Sequence, residues 1–423
     1  MTTKRNADVL IVGAGPVGLL TALELAQAGV AVQIIDQEWR TAAHSYALAL
    51  HPASLDLLDR CGVGEEVLRR GRRIERVVFA GDGEPQAELR YGGLAARHPF
   101  VVVLRQDVLE SLLVQRLHAL GVEVGWLQRA AALLPDDDRV TVTVERLGRA
   151  SAGYAVADAT LAVEQVLEIS AKLVIGADGH RSFVRRALDI DFAVAGEPTA
   201  FAVFEFTTPG PAADELRVLI DERTTSALWP MPEGHVRWSF ELENPDDPLE
   251  ERFKSRWAMQ VASRSYPLLP EEQLRELLRA RAPWFTGSVR ELHWSMLVRF
   301  ERRLAERAGS GRAWRGGDAL HTTGPVGVQS MNIGLREGRA LAAAVVSVLR
   351  HKAELGLLAE YGHTVREEWR QMLGQSGGPT PALSATPWVR QQAGRLLPCV
   401  PASGAQLAAL LAQIGLELRP VGA

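Results

Sequence analysis

The chain has 423 residues, of which 47% are hydrophobic and 23% are charged, so it can bury a large core and is expected to divide into two or three domains. Its 47 Lys and Arg residues nearly balance its 51 Asp and Glu residues, which gives no broad attraction for nucleic acid or for an anionic membrane. Its two cysteines, Cys61 and Cys399, are too few for a disulfide framework or a thiolate metal cluster. We expect a cytoplasmic protein with a small-molecule partner, without a metal site, a signal peptide or an integral membrane segment.

The N-terminal part of the chain predicts a strand, a tight turn, a helix and a second, parallel strand. Asp8 to Val12 is a short apolar run, and Gly13 to Gly18 is rich in glycine. Leu19 to Ala28 has apolar residues at helical spacing, and Val30 to Ile35 is another apolar run.

The next part predicts one more helix and strand, followed by a small antiparallel meander. Leu109 to Leu120 repeats apolar residues at helical spacing, and Val122 to Trp126 follows as a strand. The meander is predicted from three runs of β-forming residues, Arg139 to Val144, Tyr154 to Leu161 and Glu164 to Ile169.

From Phe201 to Glu243 the pattern changes to strand-like segments broken by Pro and Gly, which predicts an antiparallel sheet. These segments are Phe201 to Thr207, Leu216 to Ile220, Ser226 to Trp229 and His235 to Leu242. Helical spacing returns at Leu249 to Ala262, Pro270 to Ala280 and Ile333 to Leu349. A linker rich in Gly and Pro, Gly374 to Pro387, precedes a last predicted helical segment, Gly404 to Gly415.

Residues 13–18 form a G-x-G-x-x-G motif in a context typical of dinucleotide binding. The motif follows a predicted strand and opens a predicted helix, and Asp36 ends the next strand, about 20 residues further on. In that setting Gly13 permits a tight turn, Gly15 lets the backbone approach a pyrophosphate, and Gly18 allows close helix packing. The motif does not distinguish FAD from NAD(P).

Two later motifs each have an ordinary structural interpretation when taken alone. Leu173 to Ser182 ends an apolar strand in an Asp-Gly turn, which is also the pattern of a hairpin turn with solvated arginines. Gly316 to His321 runs into Gly324 to Asn332 and then into a helix, which is also the pattern of a loop and an N-cap. We interpret His321 as a packed structural residue rather than a base.

In this order and at these separations, the three segments resemble the G-x-G-x-x-G, DG and GD motifs of the flavoprotein aromatic hydroxylases related to para-hydroxybenzoate hydroxylase. The resemblance covers nearly the whole chain and extends to Ala47 to Gly62 and to Arg105 to Glu110. It implies an α/β fold with a Rossmann-like FAD-binding domain of the GR2 type, an inserted antiparallel-sheet substrate domain and a C-terminal helical segment. The implied FAD-binding domain is 1–73, 97–187 and 308–362, the substrate domain is 74–96 and 188–307, and the helical segment is 363–423.

The resemblance also implies bound FAD and its contacts. Asp36 should hold the adenosine ribose, Gln106 and Asp318 the ribityl chain, and Asp178 the interface shared by FAD and the nicotinamide. The implied cofactor-binding residues are Gly13, Gly15, Pro16, Gly18, Asp36, Gln37, Arg105, Gln106, Asp178, Gly317, Asp318, Gly327, Val328, Met331 and Asn332. The implied catalytic residues are Pro325, Gly327, Tyr46 and Arg237, and the candidate substrate contacts are Tyr46, Trp229, Arg237, Trp238, His293 and Trp294.

Two departures from the family pattern concern residues beside the flavin. Where the family commonly has Pro-x-Gly-Gly-Gln-Gly, this chain has Val328 and Ser330 at two of the glycine positions, which reduces backbone freedom. We expect the turn from Gly324 to Asn332 to lie against the flavin, so that a bulky group at Gly327 would crowd the oxygen site. Tyr46 stands where many members have an arginine that contacts the flavin or nicotinamide, which leaves the choice of NADPH or NADH open.

The resemblance implies that NADPH or NADH reduces FAD, that dioxygen is captured as a flavin C4a-hydroperoxide, and that one oxygen atom passes to an aromatic or polyketide-like small molecule. The implied enzyme is a single-component monooxygenase that acts as a monomer or homodimer. Two alternatives stay open. One is an FAD-dependent oxidase or halogenase-like enzyme, although the halogenase Trp-x-Trp-x-Ile-Pro segment is not found in the sequence. The other is a non-catalytic FAD-binding protein.

Overall fold

The structure of the protein is a computed structural model that describes residues 3–41, 48–149, 161–209, 214–243, 258–261, 264–267 and 269–418. The predicted site residue Tyr46 and nearly all of the predicted strand Tyr154 to Leu161 lie outside the described residues.

The described strands follow in chain order. The first eleven are Thr3–Val12 (β1), Val32–Ile35 (β2), Ala49–Leu50 (β3), Arg72–Ile74 (β4), Arg76–Gly81 (β5), Glu84–Arg90 (β6), Val101–Val103 (β7), Val124–Gly125 (β8), Gln128–Pro135 (β9), Val140–Arg149 (β10) and Leu161–Gly176 (β11). The others are Phe192–Thr207 (β12), Glu215–Ile220 (β13), Thr225–Pro230 (β14), His235–Glu241 (β15), Ala258–Val261 (β16), Arg264–Pro267 (β17), Glu291–Ala305 (β18), Gly309–Ser310 (β19), Ala313–Arg315 (β20), His321–Thr322 (β21), Thr380–Pro381 (β22) and Leu416–Glu417 (β23).

The described α-helices alternate with these strands. They are Pro16–Gln27 (α1), Pro52–Arg60 (α2), Gly64–Arg70 (α3), Gln106–Ala119 (α4), Phe183–Ala187 (α5), Glu271–Arg281 (α6), Gln329–Arg350 (α7), Gly356–Met372 (α8), Pro387–Leu396 (α9) and Gly404–Gln413 (α10). No helix among the described residues is both long enough and apolar enough to cross a membrane.

The first sheet contains the predicted strand-turn-helix unit. Its strand order is β19-β20-β11-β1-β2-β8, and the antiparallel meander β9-β10 extends from β11. β1 pairs in parallel with both β11 and β2, and β11 pairs in parallel with β20. Residues 9–12 of β1 and 173–175 of β11 are continuous apolar runs whose side chains enter core clusters on both faces of the sheet. The predicted parallel pair at the N-terminus is confirmed.

The second sheet is the predicted antiparallel layer. Its order is β21-β18-β12-β15-β14-β13-β5-β6, and all pairs are antiparallel except β13 with β5. Helix α6 packs over its outer face on a cluster that includes Phe204, Trp238 and Phe240. Because β5 and β6 join strands from much later in the chain, the topology supports the inserted domain, although its exact boundaries stay a prediction.

One predicted helix is wrong in the part that the structure describes. Ala258–Val261, inside the predicted helix Leu249 to Ala262, is a strand paired with Arg264–Pro267, and residues 249–257 lie outside the described residues. Apolar spacing favoured a helix there, but pairing with the next segment overrides that local preference. The long strand β18 was not predicted, since its apolar residues alternate with arginines over only part of its length.

Candidate functional site

The glycine-rich turn between β1 and α1 has no room for side chains at two of its three glycines. A Cβ at Gly13, whose φ is 107°, would lie 2.2 Å from the carbonyl oxygen of Ala177, and a Cβ at Gly18 would lie 2.0 Å from that of Gly13. At Gly15 a Cβ would have no neighbour within 4 Å, and helix α1 begins at Pro16. The N-terminus of α1 therefore faces open space, where its N–H groups can bind an anion.

A cavity of about 770 Å³ lies in front of this turn. Of the residues predicted from the sequence, it is lined by Gly15, Pro16, Gln106, Gly317, Asp318, Pro325, Val328 and Met331. The basic residues in its lining are His180, Arg181, Arg185, Arg186, Arg299 and Arg303. A cavity of this size, with a helix N-terminus on one wall and basic side chains on another, suits a dinucleotide with charged phosphates.

Asp36 fixes the glycine-rich turn from the end of β2. Its carboxylate accepts hydrogen bonds from the N–H of Ala14 at 2.6 Å and from the N–H of Glu38 at 2.8 Å. Gln37 is exposed beside it. Neither Asp36 nor Gln37 is in the lining of the large cavity, so the roles predicted for them in binding the cofactor stay predictions.

Asp178 supports the cavity wall from behind. Its carboxylate accepts a hydrogen bond from the N–H of Val184 at 3.0 Å, in the first turn of α5. Desolvation raises its pKa above the ordinary value. Gly179 and His180 line the cavity, but Asp178 does not. Asp178 thus supports the first turn of α5, whose N-cap residue is Ser182, and its predicted role at the nicotinamide interface stays a prediction.

Arg105 and Gln106 lie at the start of helix α4 and have different neighbours. Gln106 lines the large cavity, and its Nε2 donates a hydrogen bond to Glu110 at 2.7 Å. Arg105 lies outside that lining and contacts Glu205 of the second sheet at 3.4 Å. Gln106 therefore lines the cavity, where its predicted ribityl contact stays a prediction, while Arg105 links the start of α4 to the second sheet.

Asp318 is exposed to the cavity although it lies deep in the protein. Desolvation raises its pKa above the ordinary value, and the Ser330 side chain donates a hydrogen bond that lowers the pKa in part. A carboxylate in this position can accept hydrogen bonds from the hydroxyl groups of a ligand. Ser330, at a position where the family commonly has glycine, also lines the cavity.

Sequence reasoning missed Glu337, a buried carboxylate beneath the loop that carries Asp318. It accepts hydrogen bonds from the N–H of Gly317 at 2.8 Å and from Trp369 Nε1 at 2.6 Å, and lies 2.8 Å from His321 Nε2. Desolvation alone would raise the pKa of Glu337, but His321 and the other donors lower it. His321 stacks on Trp369 at 3.7 Å between ring centroids, which supports its predicted structural role. The available signal was an acidic residue on the apolar face of the predicted helix.

Asn332 joins the turn before α7 to the segment that leads into α2. Its Nδ2 donates to the carbonyl oxygens of Ala49 at 2.8 Å and Val328 at 2.7 Å. Its Oδ1 accepts from the N–H of His51 at 2.8 Å and from the hydroxyl of Ser54 at 2.7 Å. These four bonds use the full capacity of the amide. Only the backbone of Asn332 remains for the predicted cofactor contact.

Gly327 faces the C-terminal segment rather than the cavity. Its N–H donates to the carbonyl oxygen of Pro398 at 3.1 Å, and its carbonyl accepts from His51 Nε2 at 2.8 Å. Complete burial lowers the pKa of His51 to about 3, so the ring is neutral and can donate this bond. A Cβ at Gly327 would lie 2.5 Å from the Pro398 oxygen. This corrects the expectation that a bulky residue here would crowd the oxygen site, because it would first displace the segment around Pro398.

Val328 has a backbone conformation that valine rarely adopts. Its φ of 51° and ψ of 37° are left-handed, which costs a β-branched residue about 1–3 kcal/mol. The side chain is 6% exposed and belongs to the lining of the large cavity. Strain is therefore stored in the turn at one of the positions where the family commonly has glycine.

Replacing Val328 by glycine and by alanine separates this strain from loss of packing. Both changes remove buried methyl groups, but only glycine adopts φ 51° without strain. We expect the free energy of unfolding of Val328→Gly to exceed that of Val328→Ala by about 1 kcal/mol, although glycine buries less. Denaturant unfolding of both FAD-free variants measures the difference. The opposite order would mean that the turn is not strained at this residue.

A second, much smaller cavity of about 20 Å³, roughly the room for one water molecule, adjoins the first, since Phe300 and Pro325 line both. Its other lining residues are Leu48, Val203, Trp229, Arg237, Ser239 and Trp294. It therefore brings together the predicted catalytic residues Pro325 and Arg237 with two of the candidate substrate contacts. Aromatic walls with a few polar groups are typical of small-molecule sites.

Two other candidate substrate contacts lie elsewhere. Arg237 and Trp238 are neighbours on β15, so their side chains point to opposite faces of the sheet. Trp238 stacks on Phe240 with centroids 4.9 Å apart, under helix α6. His293 stacks on His235 at 4.3 Å and is outside both cavity linings. Trp238 and His293 therefore lie outside both cavity linings, and their roles as substrate contacts stay predictions.

Comparison with known proteins identifies the cofactor-binding unit. A family profile described as FAD binding domain matches residues 6–376. The 6-methylpretetramide 4-monooxygenase of Streptomyces rimosus is 29% identical over 359 residues, which cover 84% of this chain and 58% of that protein. A rifampicin monooxygenase of Streptomyces venezuelae is 30% identical over 361 residues, which cover 84% and 67%. The chain spans 58% to 65% of the length of the first three curated relatives.

Solved structures share the fold. The p-nitrophenol 4-monooxygenase PnpA from Pseudomonas putida DLL-E4 superposes with a TM-score of 0.71 at 20% identity, over 99% of this chain and 100% of that chain. OxyS, an anhydrotetracycline hydroxylase from Streptomyces rimosus, has a TM-score of 0.65 at 26% identity, over 88% and 68%. The resemblance and the fold class predicted from the sequence are both confirmed. The chain belongs to the FAD-binding-domain family, has the fold of the FAD-dependent aromatic hydroxylases and takes FAD as its cofactor.

Proposed function

We propose that the protein is a single-component monooxygenase that uses NAD(P)H and dioxygen to hydroxylate an aromatic or polyketide-like small molecule. The observation that carries this proposal is the pair of adjoining cavities, one built from the dinucleotide motifs and the other lined by Trp229, Arg237 and Trp294. A redox cofactor in the first cavity would meet a substrate at Pro325 and Phe300 once the side chains around the small cavity, which measures only about 20 Å³, move apart to admit it.

The residues of the large cavity fit FAD. The open space at Gly15 and the N-terminus of α1 suit the pyrophosphate. The cavity-facing carboxylate of Asp318 and the side chain of Gln106 suit the ribityl hydroxyls. Backbone groups near Val328 and Met331 suit the ring system at the start of α7. Bound FAD, once reduced by NAD(P)H, supplies the activation of dioxygen.

The residues of this chain would orient the substrate and exclude water. Trp229 and Trp294 provide flat apolar walls for an aromatic ring, and Arg237 provides a fixed donor for a substrate oxygen. Trp229, Arg237 and Trp294 are each less than one-tenth exposed. A closed apolar site of this kind keeps water from the reacting atoms and strengthens polar contacts within it.

The names of the relatives support an aromatic or polyketide-like substrate. These relatives are monooxygenases of tetracycline precursors, rifampicin and para-nitrophenol, which are phenolic or polyketide molecules. The chain spans less than two thirds of the first relatives, so their activities are carried here as part of the proposal. A cytoplasmic location and a monomeric or homodimeric state stay predictions from the sequence.

An assay of the purified holoenzyme with a panel of phenols and aromatic polyketides tests the function. We expect a yellow protein that contains noncovalent FAD and oxidises NADPH or NADH faster when a substrate is present, with one atom of labelled dioxygen in the product. Hydrogen peroxide formed together with oxidised organic substrate, without consumption of NAD(P)H, would favour an oxidase, because the substrate would then supply the electrons that reduce dioxygen. Tight FAD binding with no NAD(P)H oxidation under any condition would favour a non-catalytic FAD-binding protein.

A further inference from the structure

Glu205 is a fully buried carboxylate behind the wall of the small cavity. It lies on β12 with 0% of its side chain exposed. It accepts hydrogen bonds from Arg237 at 2.7 Å and from Trp294 Nε1 at 3.0 Å, and it lies 3.4 Å from Arg105. Three donors from three separate elements of the fold therefore converge on one carboxylate.

Two arginines and a second carboxylate surround Glu205. Burial of a carboxylate is costly unless it is paired, and Arg105 and Arg237 supply the positive charges beside it. Asp107 also pairs with Arg105, at 3.3 Å, where both side chains are about a third exposed, so solvent weakens that pair. The fully buried pair of Arg237 with Glu205 is therefore the one that solvent screens least.

Arg237 is the member of this group that meets the small cavity. Its planar guanidinium can bind an oxygen only if the plane is held in one orientation. Glu205 fixes one terminal nitrogen, and the Trp294 ring lies 5.1 Å from the guanidinium carbon. Because the Trp294 indole donates to the same Glu205 oxygen as Arg237 does, the carboxylate sets the relative positions of two lining residues.

Glu205 is also joined to the cofactor side of the protein. Arg105 directly precedes helix α4, and the next residue, Gln106, lines the large cavity. A change in the position of Glu205 would therefore shift Arg237 in the small cavity. Through Arg105 it would also shift the start of the helix that carries Gln106.

We propose that Glu205 is a positioning residue: it holds Arg237 in the orientation that binds an oxygen of the substrate, and through Arg105 it connects the substrate cavity to the cofactor cavity at Gln106. The proposal rests on the proposed function, because the small cavity is taken as the substrate site.

The same sheet offers a matched control. Glu215 on β13 is also a buried carboxylate bound by two arginines, Arg76 at 2.7 Å and Arg217, with 5% of its side chain exposed. It is in neither cavity lining. The variants Glu205→Gln and Glu215→Gln each remove one buried negative charge while keeping the shape of the side chain, so both should lower stability.

The experiment compares the two variants as FAD-loaded proteins. The probe is the phenol that perturbs the wild-type flavin absorbance most strongly, and FAD dissociation is measured in parallel. We expect Glu205→Gln to bind the probe about tenfold more weakly, the fold-change expected for losing one well-placed charge-assisted hydrogen bond. FAD affinity should fall by a smaller factor. The KM for that phenol should rise more than kcat falls, and Glu205→Asp should recover part of the loss. Glu215→Gln should lose as much thermal stability as Glu205→Gln does, but it should bind the phenol and FAD as the wild type does.

Equal effects of the two variants on probe binding and FAD affinity would overturn the proposal, because Glu205 would then have a structural role only. A wild-type holoenzyme that responds to no phenol or polyketide would instead contradict the proposed function. In that case the comparison of FAD affinities still decides whether Glu205 is coupled to the cofactor cavity: a loss in Glu205→Gln that Glu215→Gln lacks supports the coupling, and equal affinities overturn it.

Discussion

Asn332→Asp is expected to lower the free energy of unfolding by about 3–5 kcal/mol, the range for leaving a charge buried without a partner. The variant keeps the size of the side chain but places a carboxylate oxygen against the carbonyls of Ala49 and Val328, which now receive hydrogen bonds at 2.8 and 2.7 Å. Asn332 is fully buried, so water cannot compensate. Denaturant unfolding of the FAD-free protein measures the loss.

Asn6→Asp is the control for this change. Asn6 lies on β1 and is exposed, so the same chemical change should alter stability by less than about 0.5 kcal/mol. Because Asn332 also ties the cavity turn to the segment before α2, its variant should release FAD more readily than Asn6→Asp does. A loss at Asn332 no larger than that at Asn6 would mean that the four hydrogen bonds do not hold the turn.

The sequence predicted those parts of the fold in which local pattern and final environment agree. The run Asp8 to Val12, the glycine motif and the helix after it were predicted because parallel strands buried on both faces are continuously apolar. The helix Gln329–Arg350 was predicted as Ile333 to Leu349 from its amphipathic spacing. Apolar spacing wrongly predicted a helix at Ala258–Val261. There, pairing with the next segment decides the structure.

The candidate site was predictable where a motif carries its own geometry. Gly15 was expected at the cofactor from the glycine motif, and Gln106, Asp318 and Pro325 were expected there from the family resemblance; all four line the large cavity. Their roles in binding and catalysis stay predictions.

Pairings between residues distant in sequence could not be predicted, even where one member of the pair was. Glu205 and Arg237 are 32 residues apart, and Asn332 and His51 are 281 apart. A Cβ at Gly327 would point at Pro398. That contact depends on the packing of a C-terminal segment whose position no motif indicates.

Asp318→Asn is expected to raise the stability of the FAD-free protein and to lower its affinity for FAD. Desolvation raises the pKa of Asp318 in the folded FAD-free protein, so ionisation costs stability at every pH above that raised pKa. The cost disappears as the pH falls toward the ordinary Asp value of 3.8. The neutral amide removes this cost, and near neutral pH the FAD-free variant should unfold at a higher denaturant concentration than the wild type.

FAD binding should weaken in the same variant, because the ionised carboxylate is the stronger acceptor for ribityl hydroxyls. We expect a loss of about 1.5–3 kcal/mol in binding free energy for Asp318→Ala, the range for a hydrogen bond to a charged group, and a smaller loss for Asp318→Asn. Wild-type FAD affinity should also fall as the pH is lowered through the raised pKa of Asp318, while that of Asp318→Asn should not follow this dependence. Fluorescence titration of the FAD-free proteins across pH measures both effects.

Asp221→Asn provides a control of opposite sign. The Asp221 carboxylate accepts hydrogen bonds from the N–H groups of Arg223 at 2.9 Å and Thr224 at 2.6 Å. Desolvation alone would raise its pKa, but these donors lower it, so its ionised form stabilises the folded protein above the ordinary pKa and that stability is lost as the pH falls through the lowered value. The variant should lose stability at neutral pH and keep its FAD affinity, since Asp221 is in neither cavity lining. If Asp318→Asn instead lost stability as Asp221→Asn does and bound FAD as the wild type does, Asp318 would be a structural residue of its loop and not a ligand of the cofactor.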